Sequence, residues 1–330
     1  MNRLIKNKVD ITVLVTSISQ REITIETANY YSEICSEVVL VDEEQPHLSV
    51  ADISVMKKRG ITYISYTNNG YKNASYEKRK IAASHSSNKY VVHSNHDERY
   101  TYYGLIACVA ELEKDKNLTF CAGQAIAVRR GESKIYFTRS YKNLWGYQNI
   151  NKVEQRLYYH ANRYAPLAHY AVWRKKSYIN VTKETLKIHY LMPSTTMMEE
   201  VIFELAADLA GNSKAIPELY WFRNRFNPPS HDSSETGDQV FMTIEKKLSV
   251  LLKNLDNVQM TIIMNGFWEI FPFVRSDRFI SKSIILIKRK LRTVIKKKRI
   301  MVGDLDTFLN DNKIKYKKHD ISNVLKSMSL

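Results

Sequence analysis

Within the first hundred residues, four short runs rich in β-branched side chains alternate with three stretches of helical pattern. That alternation constrains the fold more than any other feature of the chain. "DITVLVTS" (10–17), "EVVLVDEEQP" (37–46), "ITYISY" (61–66) and "KYVVHSN" (89–95) read as buried strands. Near-continuous apolar runs closed by polar residues suit strands covered on both faces. Between them lie "REITIETANYYSEI" (21–34), "ADISVMKKRG" (51–60), where Gly60 supplies the stop, and "SYEKRKIAASHSS" (75–87). In the last of these, Ile81, Ala82 and Ser84 are expected to form the small-residue packing face. Strands and helices at this spacing give a parallel, doubly wound sheet, and such sheets hold ligands at the carboxyl ends of their strands. The polar clusters fall at those ends: Thr16-Ser17, Asp42-Glu43, Asn68-Asn69-Gly70 and His96-Asp97-Glu98.

Further along, "YYGLIACVAELEK" (102–114) is an amphipathic helix, and "LTFCAGQAIAVRRG" and "SKIYFTRS" are strands that make the sheet mixed. "HYAVWRKKSYI" reads as strand then helix. "STTMMEEVIFELAADLAGN" is the clearest helix, with Ser194, Thr195 and Thr196 as candidate caps, Glu199 and Glu200 in its first turns and Gly211 as its stop. A loop rich in Pro, Ser, Asp and Gly spans 227–238. The expected division is an α/β nucleotide-binding domain over 1–235 and a helical C-terminal region over 236–330.

A chain with 44% hydrophobic residues can bury a full core, which excludes global disorder. Cys35, Cys108 and Cys121 show no CxxC spacing, which fits a reduced compartment and thiols used as buried filler. "MNRLIKNKVD" has no apolar run of the signal-peptide kind, and no window approaches a spanning helix, so a soluble or peripheral protein is expected. The net charge of +16 is concentrated: over 275–299 eleven lysines and arginines stand against Asp277 alone. Ile280, Ile284, Ile287, Leu291 and Val294 form one apolar stripe through that segment. Such a helix suits the headgroup region of an anionic membrane; packing on the catalytic domain or a partner chain is the alternative. The basic balance alone would also fit a nucleic-acid binder, but zinc ligands, an RNP-type aromatic pattern and a helix-turn-helix are all absent. A nucleotidyltransferase would want a glycine-rich loop after the first strand, and "VTSISQRE" contains no glycine.

Taken in order over Val9–Arg225, these motifs resemble the GT-A glycosyltransferases of bacterial surface-polysaccharide biosynthesis, including capsule and O-antigen enzymes. The fold implied is a GT-A-like, Rossmann-like doubly wound mixed sheet with a helical C-terminal region. In that family the first strand ends in a polar loop (Thr16, Ser17, with Arg21 following) and the second on an acid that reads the base (Asp42). An N-x-G turn (Asn69) then leads into a helix with basic residues (Lys78, Arg79). A strand closing on an acidic motif follows, here "HSNHDERY" with Asn95, His96 and Asp97. Far downstream, an acidic pair opens a helix and supplies the catalytic base: Glu200, with Glu199 as runner-up.

One departure matters. The family's Asp-x-Asp is replaced by Asn95-His96-Asp97-Glu98. Two readings follow. Asp97 ligates a divalent cation, Mn or Mg, with His231 as a further candidate ligand and Asn95 or Glu98 on the ribose. Or the enzyme is metal-independent, and Lys78, Arg79, Arg223 and Arg225 neutralise the diphosphate. The loop bearing His231 would then act as a lid over the donor. The resemblance implies transfer from a nucleotide sugar, a UDP-sugar being favoured, to a hydroxyl of a glycan or lipid-linked acceptor, with inversion. It places the protein on the cytoplasmic face of the plasma membrane. A non-catalytic relative that binds nucleotide sugar is the alternative.

Overall fold

The computed structural model describes residues 7–17, 20–68, 74–96, 98–130, 135–141, 150, 152–162, 165–191, 196–224, 300–301 and 305–328. The alternation read from the sequence is realised as β1 (Val9–Thr16), α1 (Arg21–Ile34), β2 (Cys35–Asp42), α2 (Val50–Lys58), β3 (Ile61–Ser65), α3 (Ser75–His85) and β4 (Tyr90–Ser94). β1 pairs in parallel with β2 on one side and β4 on the other, and β2 pairs with β3. The chain therefore moves outward through β2 and β3 and returns across β1 to β4. That reversal leaves a crevice between the carboxyl ends of β1 and β4, where doubly wound sheets bind ligands.

Beyond β4 the sheet turns antiparallel. The remaining elements are β5 (Glu98–Tyr100), α4 (Tyr102–Lys114), β6 (Leu118–Arg130), β7 (Ile135–Ser140), α5 (Val153–Asn162), β8 (Val172–Arg174), α6 (Lys175–Leu191), α7 (Thr196–Ala210), β9 (Asn212–Asn224), β10 (Ile300–Met301), α8 (Leu305–Asp311) and α9 (Lys318–Ser327). The main strand order is β10-β7-β6-β8-β4-β1-β2-β3, while β9 runs parallel to β6 and antiparallel to β5. A short 3₁₀ turn, Ala168–Tyr170, precedes β8.

The strands bury what their composition says they should. Val13, Leu14, Val15, Val38, Val39, Leu40, Val41, Val91 and Val92 are all buried between helices on both faces. Gly104 lets α4 lie directly on β9: a Cβ there would stand 2.6 Å from the Tyr220 Cα and 2.7 Å from the Leu219 carbonyl oxygen. The end of the chain returns to the same core, with Leu305, Leu309, Ile314, Ile321 and Val324 buried in it. Asp320 accepts hydrogen bonds from the backbone N–H groups of Tyr102 (2.9 Å) and Tyr103 (3.0 Å), where the start of α4 favours a carboxylate.

Two expectations need correction. The packing face of α3 consists of Ser75, Tyr76, Lys78, Arg79, Ala82 and Ala83; Ser84 is exposed and Ile81 only half-buried. "HDERY" is not one polar cluster, because Glu98–Tyr100 forms β5 against β9. The expected boundary at 235/236 and the basic segment 275–299 lie outside the described residues. Among the described residues, no helix is long and apolar enough to cross a membrane.

Candidate functional site

At the carboxyl end of β2, Asp42 is 1% exposed and bound on both oxygens. Oδ2 accepts from Arg21 Nε (2.9 Å) and the Tyr63 hydroxyl (3.0 Å), and Oδ1 from the Glu44 backbone N–H (3.2 Å). Arg21, at the start of α1, also donates to the carbonyls of Pro46 (2.6 Å) and Glu44, and its backbone N–H donates to the Glu44 carboxylate. Asp42 and Arg21 thus fix the loop after β2 as one edge of the crevice. An ionised carboxylate has about four lone-pair sites, so Oδ1 keeps capacity for one further N–H donor.

Lys78 and Arg79 are the phosphate clamps expected from the sequence. Both project from the inward face of α3 and are buried. Lys78 Nζ donates to the Ser17 carbonyl (2.5 Å) and to Glu43 (2.5 Å), whose other oxygen accepts from Asn68. It ties the loop after β1 to the loop after β2 from below. Burial lowers its pKa and the Glu43 hydrogen bond opposes that shift. The Arg79 guanidinium lies 4.4 Å from the Tyr76 ring centre and donates to His169 Nε2 (2.8 Å). His169 packs edge-on against His93, and His93 Nε2 lies 3.1 Å from the Thr16 hydroxyl. Burial, reinforced by Arg79, lowers both histidines well below their ordinary value, so both are neutral at pH 7.

The third wall comes from β4, β5, β9 and α7. Asn95 donates to the Tyr170 hydroxyl at 3.4 Å. The His96 carbonyl is held by Thr27 and by Arg99 (3.2 Å), which also reaches the Thr27 hydroxyl (2.7 Å) and the Glu98 carbonyl (2.9 Å). Arg99 therefore anchors the loop after β4 from behind, and Glu98 faces Arg223 on β9 at 3.5 Å. The Arg223 guanidinium lies within 6 Å of the Tyr141, Tyr170 and Trp221 ring centres and is 20% exposed, so it reaches the surface of this wall. Glu199 is buried, whereas Glu200 is half-buried. Burial chiefly raises the phenol pKa values of Tyr76 and Tyr170, with Glu199 and then Glu200 adding at Tyr76, and Glu98 and then Glu200 at Tyr170, the ring that meets Asn95.

Side-chain contacts thus link Thr16, Ser17, Arg21, Asp42, Lys78 and Arg79 at the ends of β1 and β2 with Asn95 and Arg223 through His93, His169 and Tyr170, while Glu199 and Glu200 stand near the start of α7. Asn69, Asp97, Arg225 and His231 lie outside the described residues. Among the described residues, no group of three His, Cys, Asp or Glu side chains could hold a metal ion. His169, Tyr170 and Glu204 went unnoticed in the sequence. The only available signal for Glu204 was its place four residues after Glu200 on one helix face.

No protein-family model matches the sequence, and no curated protein sequence matches it. Solved structures do match its fold. Residues 1–349 of S. aureus TarS align with a TM-score of 0.50 at 13% identity, covering 78% of this chain and 70% of that one. The same segment in complex with UDP-GlcNAc gives 0.51 at 13% identity over 78% and 71%, and in complex with UDP 0.50 at 12% over 78% and 70%. Against another TarS structure the match spans 43% of that chain. The architecture, a mixed α/β sheet flanked by helices, is the GT-A glycosyltransferase fold.

Proposed function

We propose that this chain is a glycosyltransferase that moves a sugar from a nucleotide donor to a hydroxyl of a glycan or lipid-linked acceptor in surface-polysaccharide synthesis. The observation that carries the reading is the GT-A fold, in which Asp42 is fixed at the carboxyl end of β2 and Arg223 lies on the wall whose Tyr170 meets Asn95. Glu200, half-buried near the start of α7, is the carboxylate this reading assigns as base. The complexes of TarS with UDP and UDP-GlcNAc favour a UDP-sugar as donor. In this reading the loops after β1 and β2 hold the uridine, with Asp42 Oδ1 accepting from the base. Asn95, with Asp97, meets the ribose and diphosphate, and Arg223 takes up charge on the leaving group. Glu200 accepts the proton from the acceptor hydroxyl as that oxygen bonds to the sugar's anomeric carbon. The bond from that carbon to the diphosphate oxygen breaks, UDP leaves, and the configuration inverts.

No step is routed through a metal, because Asp97 and His231 lie outside the described residues. A cation held by Asp97 would supply charge neutralisation for the diphosphate. Calorimetry with UDP, GDP, CDP, CMP and TDP, each with and without Mn or Mg, tests both points. UDP is expected to bind tightest. Binding only with metal assigns the diphosphate to Asp97, metal-independent binding assigns it to the arginine, and binding of none of the five overturns the reading.

The basic stripe over 275–299 fits a peripheral site on an anionic membrane, where a lipid-linked acceptor is met. The full chain is expected to co-sediment with vesicles containing anionic lipid and not with neutral ones. Equal recovery with both would count against membrane docking.

A further inference from the structure

We propose that Glu204 is a positioning residue for transfer, one that locks the helix carrying Glu200 to the turn that shapes the donor wall. The inference rests on the glycosyltransferase reading above. Glu200, Glu204 and Asp208 follow one another at four-residue spacing, so they share one face of α7. Glu204 is 1% exposed, and its two oxygens accept the backbone N–H groups of Ala168 (2.9 Å) and His169 (2.6 Å) at the start of the 3₁₀ turn.

That turn meets α3, the loop after β4, and β9. His169 takes the Arg79 guanidinium and lies 3.3 Å from the Tyr76 hydroxyl. The Tyr170 hydroxyl receives Asn95, its ring stacks on Trp221 at 3.9 Å below Arg223, and its carbonyl accepts from the Tyr220 hydroxyl at 2.7 Å. One turn further along α7, Asp208 meets His160 Nδ1 at 2.9 Å while the Asp208 carbonyl accepts from Arg156 Nε, pinning α5 behind the helix. Burial pushes the Glu204 carboxyl up and the two N–H groups oppose the shift. No backbone hydrogen bond within α7 can fix how far Glu200 stands from Asn95 and Arg223. The two bonds from the 168–169 backbone to Glu204 tie α7 directionally to the turn at the donor wall, alongside the non-directional packing of Phe203 on Tyr76, His169, Trp173 and Tyr178.

The test is Glu204→Gln, which keeps one acceptor oxygen and sets an amide NH₂ against the other backbone N–H. The Asp42 and Thr16 side of the crevice is untouched. With UDP-GlcNAc as probe donor, kcat should fall about 10²-fold, the cost of a displacement on the order of 1 Å, while UDP affinity stays within about twofold. Amide exchange at Ala168 and His169 should accelerate about tenfold or more. Losses of kcat and UDP affinity in equal proportion, or unchanged exchange at 168–169, would overturn the inference. A wild-type chain that binds no nucleotide would sink the transferase reading instead, and the exchange rates would still show whether Glu204 ties the turn.

Discussion

Replacing Glu200 with Gln is expected to reduce turnover by about 10²- to 10⁴-fold while UDP binding stays within about twofold. The change removes the proton acceptor and keeps the shape. Of the acidic pair, Glu199 is buried at 1% exposure, whereas Glu200 is half-buried. A general base must reach its proton at hydrogen-bond distance in a bound complex, and only the accessible carboxylate meets that condition without repacking the helix. Glu199→Gln should therefore affect thermal stability more than kcat. Normal turnover by Glu200→Gln removes Glu200 from the mechanism. If Glu199→Gln alone abolishes turnover, the runner-up takes the role. The two variants also separate an enzyme from a binding relative, since a non-catalytic chain would show no turnover to lose.

The parallel half of the sheet was legible because its signal is local. Runs such as "TVLV" and "EVVLV" have no polar face, which is what coverage by helices on both sides requires, and the crevice follows from topology. What was not legible depends on which surfaces meet. Lys78 and Arg79 look like phosphate ligands in sequence, yet they share the α3 face that carries Ala82 and Ala83 inward, and they become struts under Ser17, Glu43 and His169. β5 is three residues long and two of them are charged, so no periodicity announces it; only the approach of β9, more than a hundred residues later, makes it a strand. Glu204 is the sharpest case. Its partners are backbone N–H groups 35 and 36 residues away, and main-chain donors leave no residue-type trace in a sequence.

Above pH 10 the protein is expected to unfold within about one pH unit. Among the described residues, Tyr30, Tyr31, Tyr76, Tyr100, Tyr170, Tyr178 and Tyr220 are buried with phenols raised above their ordinary value, Tyr178 to about 12, and burial is the largest cause in each. Tyr30, Tyr31, Tyr100 and Tyr220 pack ring to ring at 5.1, 6.0 and 4.8 Å beneath the loop after β4. Their hydroxyls donate to the carbonyls of Tyr100, Glu98, His93 and Tyr170, so each needs its proton to hold its place. The unfolded chain releases these protons near pH 10 and the folded chain keeps them. The folded state then binds more protons, and stability falls as pH rises through that window. Each phenol contributes about 1.4 kcal/mol per pH unit, and seven together about 10, comparable to the whole stability of about 5–15 kcal/mol of a typical domain. On the acid side the buried neutral pair His93 and His169 has the opposite sign: stability is lost as pH falls below 6.5, and among the described residues these are the only buried histidines with a lowered pKa. The alkaline limb should therefore be the steeper. Tyrosinate absorbance followed with circular dichroism should show exposed phenols titrating first, then one step coincident with loss of helix. Gradual titration of all tyrosines with the helix signal retained would mean that these rings are open to solvent and that the column beneath the donor loop is not closed.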